Sequence, residues 1–488
     1  MKIYKNLENF VGVIPNFSYF FSSNVISYFF SFFFIIIFAR NYSPQAFGEF
    51  TIAQTIFFLF YAISFSNIHY YLNKILSTKF QDRRKDIGSC FIITFYSSVL
   101  LYIFLAFVLT FLDISQELKN LILILNLILL TEPFSIFYSE LFVRGQFKRI
   151  FKIRFVQTLL FFTLKIYLVL NQYNLIFIAI AYAIENLFFS IIVIYYFKKN
   201  GNNFSKLLFI KKHTLNILKK IILFPLMAFA IIVAMRLDIL MISKIIGADA
   251  SGIYSSASRL IIIVLLFGTH FFQFIYPNLN RIMMTKKSMG NIYQNLILFS
   301  FYKGLLFLIF SLFFGEFYLS LFGRDYLIAL NSFLVLSINI FPALLFNLWV
   351  HKQYVLSKYS SILFFQLGTI ILNILFNFYF INLFGLTGAA VASLLAPMIS
   401  FILINITNNQ EFSVIKDSFS LNKHKQAAND ALKIIFVNKN PENIENIKDL
   451  IKIINKNRFS LLKLTFTILK RYRNTNKKIK NPIIPAQI

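Results

Sequence analysis

The chain has 488 residues, of which 58% are hydrophobic and only 14% charged, with a mean hydropathy of +0.70 and a formal charge of +29. A soluble domain carries roughly 25% charged residues, so this composition excludes an ordinary soluble fold and sets the basic residues against a membrane before nucleic acid. The single cysteine, Cys90, excludes an internal disulfide and every paired-cysteine metal motif.

Apolar stretches long enough to cross a hydrocarbon core of ~30 Å recur along the first 407 residues. They fall at 17–38, 46–71, 88–111, 121–142, 155–170, 175–197, 221–246, 253–276, 292–314, 327–349, 359–381 and 387–407. Lipid offers backbone polar groups no partner, so each stretch is expected to be a helix. The fold class is all-α integral membrane, with about twelve transmembrane helices. The first stretch lacks a small-residue cleavage site and is expected to be a retained helix. Ser22, Ser23, Asn24 and Ser27 interrupt it with polar groups that suit a path or contacts between helices. Pro133, Pro225, Pro342 and Pro397 lie inside spans and predict kinks.

Connector charge alternates along this order. One set of connectors, with the N-terminal lead, holds 24 Lys and Arg; the other holds three, Arg40, Lys119 and Arg324. The positive-inside rule places the basic set and both termini in the cytoplasm. Residues 408–488 carry 16 basic and 6 acidic residues in a mixed apolar pattern, and are expected to form a basic amphipathic tail on anionic lipid.

The chain also resembles itself. Residues 38–50 align with 242–254, pairing Arg40 with Lys244, Gly48 with Gly252 and Phe50 with Tyr254. Val143-Arg144-Gly145-Gln146-Phe147 aligns with Val350-His351-Lys352-Gln353-Tyr354. Both pairs fall after the same ordinal helix in each half. Repeats of six helices share one orientation, so their pseudo-twofold axis runs along the membrane normal with a cavity between them. The expected organisation is a six-helix lobe over 1–197, a basic cytoplasmic loop over 198–220, a second six-helix lobe over 221–407 and the tail over 408–488.

Five cations fall within the spans, Lys165, Arg236, Lys244, Arg259 and Lys303, and Arg40 sits at the outer end of the first. A charge at the bilayer centre costs about 2.5–3.5 kcal/mol on insertion scales, so each needs a partner or a wet cavity. Together they are expected to line a cationic cavity for a phosphate or pyrophosphate, Arg as a planar fork and Lys as a point charge. Pairing with neighbours, or Lys244 reaching outward, is the competing reading. Arg236 and Asp238 point to nearly opposite helix faces and are not expected to pair. Glu132, Glu185 and Asp238 are candidates for proton or sodium coupling, with structural pairing as the alternative. The five His are scattered and form no metal spacing, and no HExxH, P-loop or GxSxG pattern is present. A transporter rather than an enzyme is expected, with no bound cofactor.

Three segments carry a family resemblance. Ala39-Arg40 with Pro44 and Phe47-Gly48-Glu49-Phe50 resembles the segment after the first helix of polysaccharide repeat-unit flippases. Asp238-Ile239-Leu240-Met241-Ile242-Ser243 with Gly252-Ile253-Tyr254 resembles their helix 7–8 segment. Asn373 and Asn377, followed by Gly385-Leu386-Thr387-Gly388-Ala389-Ala390, resemble their final motif. The family is the O-antigen (Wzx-type) flippases of the multidrug/oligosaccharidyl-lipid/polysaccharide (MOP) exporter superfamily. This resemblance implies a MATE-like two-lobe bundle in the bacterial inner membrane, working by alternating access. It implies an undecaprenyl-pyrophosphate-linked oligosaccharide as substrate, held by cavity cations such as Arg236 and Arg259. Polysaccharide polymerase and chain-length proteins are candidate partners. A drug or cation antiporter of the same superfamily is the alternative, although it would need an acidic cavity.

Overall fold

In a computed structural model the described residues are 19, 22, 25–65, 68–78, 83–201, 207–283, 289–356 and 358–405. The expected tail over 408–488, and Ser23 and Asn24, lie outside them. The described residues are helical throughout apart from short connections. In order they form α1 (Val25–Asn41), α2 (Pro44–Ile63), α3 (Ile68–Thr78), α4 (Arg83–Phe111), α5 (Gln116–Asn126), α6 (Ile128–Ser135), α7 (Tyr138–Val143), α8 (Phe147–Leu170) and α9 (Leu175–Lys199). The second half holds α10 (Lys211–Ile221), α11 (Leu223–Ile245), α12 (Ala248–Met283), α13 (Met289–Ser320), α14 (Leu330–Val355) and α15 (Tyr359–Asn405).

Ten of these helical stretches are long and apolar enough to cross a membrane, so the chain is a multi-pass membrane protein. One of the ten, α15, has 47 residues, about 70 Å at 1.5 Å per residue and twice the hydrocarbon thickness. It is two helices, broken at Gly385 with φ 57°, a left-handed value that glycine adopts without steric cost. A Cβ on Gly388 would lie 1.9 Å from the Phe380 carbonyl oxygen, so the returning helix needs that glycine too. Dividing α15 there and adding the shorter α1 yields the twelve spans read from hydropathy.

Some boundaries differ from the sequence reading. The second span ends at Ile63, where Phe65 takes φ 61°, and α3 starts as a separate amphipathic helix. The fourth span is three short helices, with Pro133 inside the middle one. Pro225 sits in the first turn of α11, where its missing N–H has no helical partner to lose. Pro342 and Pro397, where kinks are expected, lie inside helices that run on past them.

The two sets of connectors gather at opposite ends. At one, Arg40 donates from Nε to the Leu321 carbonyl at 2.6 Å, the Tyr42 hydroxyl bonds the Tyr173 carbonyl and the Tyr326 hydroxyl reaches Ala39 at 3.5 Å. At the other, Glu140 meets Arg144 at 2.6 Å and Arg83 at 3.5 Å, and His213 meets Asp86 at 2.9 Å. This grouping matches the division by charge. The halves join where α2 packs on α11 and α12. There the repeat-matched glycines meet: a Cβ on Gly48 would fall 1.7 Å from the Ala248 oxygen, and one on Gly252 2.3 Å from the Pro44 oxygen. Small residues let the two backbones touch at this crossing.

Candidate functional site

The seam begins with one face of α2. Gln54, Phe58 and Tyr61 recur at helical spacing on a helix that is otherwise largely apolar. Across from them, Arg236 on α11 is 8% exposed, with its guanidinium carbon 4.9 Å from the centre of the Phe58 ring. Its Nη1 is buried with no hydrogen-bond partner.

Asp238, two residues on, lies within electrostatic reach of Arg236 but forms no ion pair with it. That carboxylate accepts from the Tyr254 hydroxyl at 2.6 Å, from the Ile239 amide at 2.9 Å and from Ser393 at 3.3 Å. It pins α11 to α12 and to the second limb of α15. Arg259, on α12, donates from Nη2 to the Gln54 side-chain oxygen at 2.6 Å, and its Nε is buried without a partner. The two guanidinium groups lie within electrostatic reach of each other. No carboxylate forms an ion pair with either one among the described residues. A buried donor left unsatisfied costs about 1–3 kcal/mol, more when charged. Phosphate oxygens match the planar donors of a guanidinium.

The other expected cavity cations are placed differently. Lys165 on α8 pairs with Glu185 on α9 at 2.8 Å and lies over the Tyr182 ring at 3.9 Å. Its charge is therefore met within the first half, and so is that of Glu185. Arg40 caps the end of α13, where backbone carbonyls and the helix dipole attract a cation. Lys244 is exposed in the last turn of α11, and Lys303 donates to the Val264 carbonyl at 3.2 Å. Of these four expected cavity residues, Lys165, Arg40 and Lys303 have the local partners just named, and Lys244 is exposed. Glu132 accepts from Tyr61 at 3.1 Å and Ser135 at 2.8 Å, and lies 3.8 Å from His69. No group of three His, Cys, Asp or Glu that could hold a metal occurs among the described residues.

Gln54, Phe58, Tyr61, Tyr182 and His69 had not been singled out from sequence. Their signal was a polar or amphipathic side chain inside an apolar run, such as Gln54 in 46–71. Tyr182 links two regions, since it contacts Lys165 and interacts electrostatically with Arg259.

Among solved structures, the fold is similar to the lipid II flippase MurJ in an inward closed conformation. That likeness has a TM-score of 0.64 at 17% identity, covering 92% of this chain and 99% of that one. An inward-facing multidrug resistance MATE family transporter of the MOP superfamily gives 0.59 at 12% identity, covering 81% and 96%. A MOP superfamily transporter from Pyrococcus furiosus gives 0.60 at 11% identity, covering 82% and 95%. No curated protein sequence matches the chain. A family model described as polysaccharide biosynthesis protein matches residues 13–283, more than half of the 488 residues. With that match and the helical fold of MOP-superfamily transporters around it, the chain belongs to the polysaccharide biosynthesis protein family.

Proposed function

We propose that this protein is a flippase for an undecaprenyl-pyrophosphate-linked oligosaccharide, an O-antigen or related surface polysaccharide repeat unit. It carries this substrate from the cytoplasmic to the outer leaflet of the bacterial inner membrane by alternating access. The observation that carries the reading is the Arg236–Arg259 pair at the seam, Arg236 buried with Nη1 unpartnered and Arg259 half-buried with Nε unpartnered, and no carboxylate in an ion pair with either among the described residues. A pyrophosphate supplies the missing acceptors, while the lipid chain stays in the bilayer and the halves rock about the α2–α12 crossing. Membership of a polysaccharide biosynthesis family and the likeness to a lipid II flippase support it. Both termini lie in the cytoplasm on this reading, from the bias of basic connectors. Glu132, beside His69, is the acidic group best placed for proton or sodium coupling. Polymerase and chain-length proteins are the partners that would receive the exported unit.

Deleting the gene should strand the lipid-linked oligosaccharide in the cytoplasmic leaflet, and restoring it should return surface polysaccharide. Normal surface polysaccharide in the deletion strain, with no related transporter present, overturns the reading. The likeness to MATE transporters favours a second reading, a drug or cation antiporter. Altered drug susceptibility with unchanged polysaccharide in the same strain would select it.

A further inference from the structure

We infer that a second, separate pocket in the first half holds a sugar ring of the transported lipid and contributes to choosing which oligosaccharide is moved. This rests on the flippase reading above and concerns residues that the cationic seam does not use. The pocket is a slot between α1, α8 and α9 with a volume of about 110 Å³. One water needs about 10–15 Å³ of such space, so the slot has room for several waters or one ring-sized solute.

Its walls follow from helical spacing. Ser27, Phe30, Ser31 and Phe34 recur at i, i+3, i+4 and i+7 on α1, and Gln157, Thr158 and Lys165 share the opposing face of α8. Polar groups on facing stripes of two membrane helices are costly unless they bind each other or a ligand. Ser27 and Thr158 meet at 3.2 Å, and Lys165 takes one Glu185 oxygen, Oε2, at 2.8 Å. Gln157 is only half engaged. Its amide nitrogen donates to the Glu185 backbone oxygen at 3.3 Å, but its Oε1 is buried with no partner, on a residue 4% exposed.

The chemistry selects the ligand. An unfilled amide oxygen needs a donor, and the hydroxyls of Ser27, Ser31 and Thr158 both give and accept. The apolar wall includes Phe30 and Phe162, with ring centres 4.7 Å apart. A pyranose offers this combination, with hydroxyls around its rim and C–H faces for the rings. Arg154 also lines the slot, its guanidinium carbon 3.8 Å from the centre of the Phe189 ring. With Lys165 already joined to Glu185, this lining disfavours a free inorganic cation. A phosphate held here instead of a sugar is the outcome in which both lipids below weaken equally. Tyr182 lies against Lys165 and within electrostatic reach of Arg259. A single glycolipid can therefore place its pyrophosphate at the seam and a sugar in the slot.

The test uses the full chain in nanodiscs, titrated with the lipid-linked oligosaccharide extracted from the deletion strain and separately with undecaprenyl pyrophosphate alone. Gln157→Leu should weaken the sugar-bearing lipid about tenfold, the scale of one hydrogen bond lost in a buried site, while the bare lipid binds as before. Thr158→Val, a milder change that spares the fold, should weaken the sugar-bearing lipid by about threefold in the same selective way. Equal weakening of both lipids, or no weakening by either variant, overturns the sugar pocket. Failure of the unaltered protein to bind either lipid overturns the flippase reading and the pocket with it.

Discussion

Arg236 at the seam and Lys165 inside the first half are both cations more than nine-tenths buried, at 8% and 7% exposed. Lys165 faces Glu185 at 2.8 Å, whereas Arg236 faces the Phe58 ring and keeps Nη1 unpartnered. The same contrast holds more widely. At the basic end, Glu140 joins Arg83 and Arg144, and Asp86 joins His213. At the seam the buried Asp238 accepts from Tyr254 and Ser393 and forms no ion pair among the described residues. A membrane interior penalises any unpaired charge, so pairing marks a cation that holds the fold together. A cation without an ion pair, on the proposed reading, takes its counter-charge from the substrate.

The most severe way to break the seam is to separate its backbones. Gly48→Leu places a side chain where even a Cβ would lie 1.7 Å from the Ala248 oxygen, beyond the overpacking of about 1–3 kcal/mol that cores tolerate. Export should be lost and the folded yield should fall, as size-exclusion profiles would show. A normal profile with full export would mean that the halves need not touch there.

Lys165→Met sharpens the paired side of the comparison. It leaves Glu185 uncompensated in a largely buried site, at a cost of about 3–5 kcal/mol, read as loss of thermal stability in detergent. Lys165→Met combined with Glu185→Gln should recover most of that loss. If the double variant is no better than the single one, the pair is not a closed structural unit.

Arg236→Ala should behave oppositely. No ion pair is broken, so thermal stability should fall less than for Lys165→Met, while export falls at least tenfold, equivalent to about 1.4 kcal/mol of lost substrate interaction. Arg236→Lys should retain part of the export, because charge survives while the bidentate fork is lost. Full export by Arg236→Ala would remove this residue from the mechanism. The smallest effect is expected from Arg40→Ala, which loses a helix-end contact of about 0.3–1 kcal/mol. Export by that variant should stay within about twofold of normal. A loss as large as that of Arg236→Ala would place Arg40 in the substrate path after all.

Much of the fold was legible in the chain. Hydropathy located the twelve spans because lipid forces every crossing to be an unbroken apolar run. Connector charge sorted the loops into the two groups that meet at opposite ends. Even Gly48 and Gly252, matched only by a weak repeat, prove to be the residues on which α2 and α12 touch. The candidate site was less legible. Arg236 and Arg259 were named from sequence, but so were Arg40, Lys165, Lys244 and Lys303, and nothing in spacing separated the first pair from the rest.

By itself the sequence determined that this is a helical membrane protein, where its apolar helices run, which connectors gather together, and which charges lie in apolar segments. Those properties are local, set by runs of about 20 residues against the bilayer as solvent. Only the tertiary structure decided which of the charges are answered. Lys165 meets Glu185 across 20 positions, and Arg259 meets Gln54 across 205. A partner's distance along the chain says nothing about whether packing brings it within reach, and that reach is what turns a buried cation into part of the framework or leaves it open for a substrate.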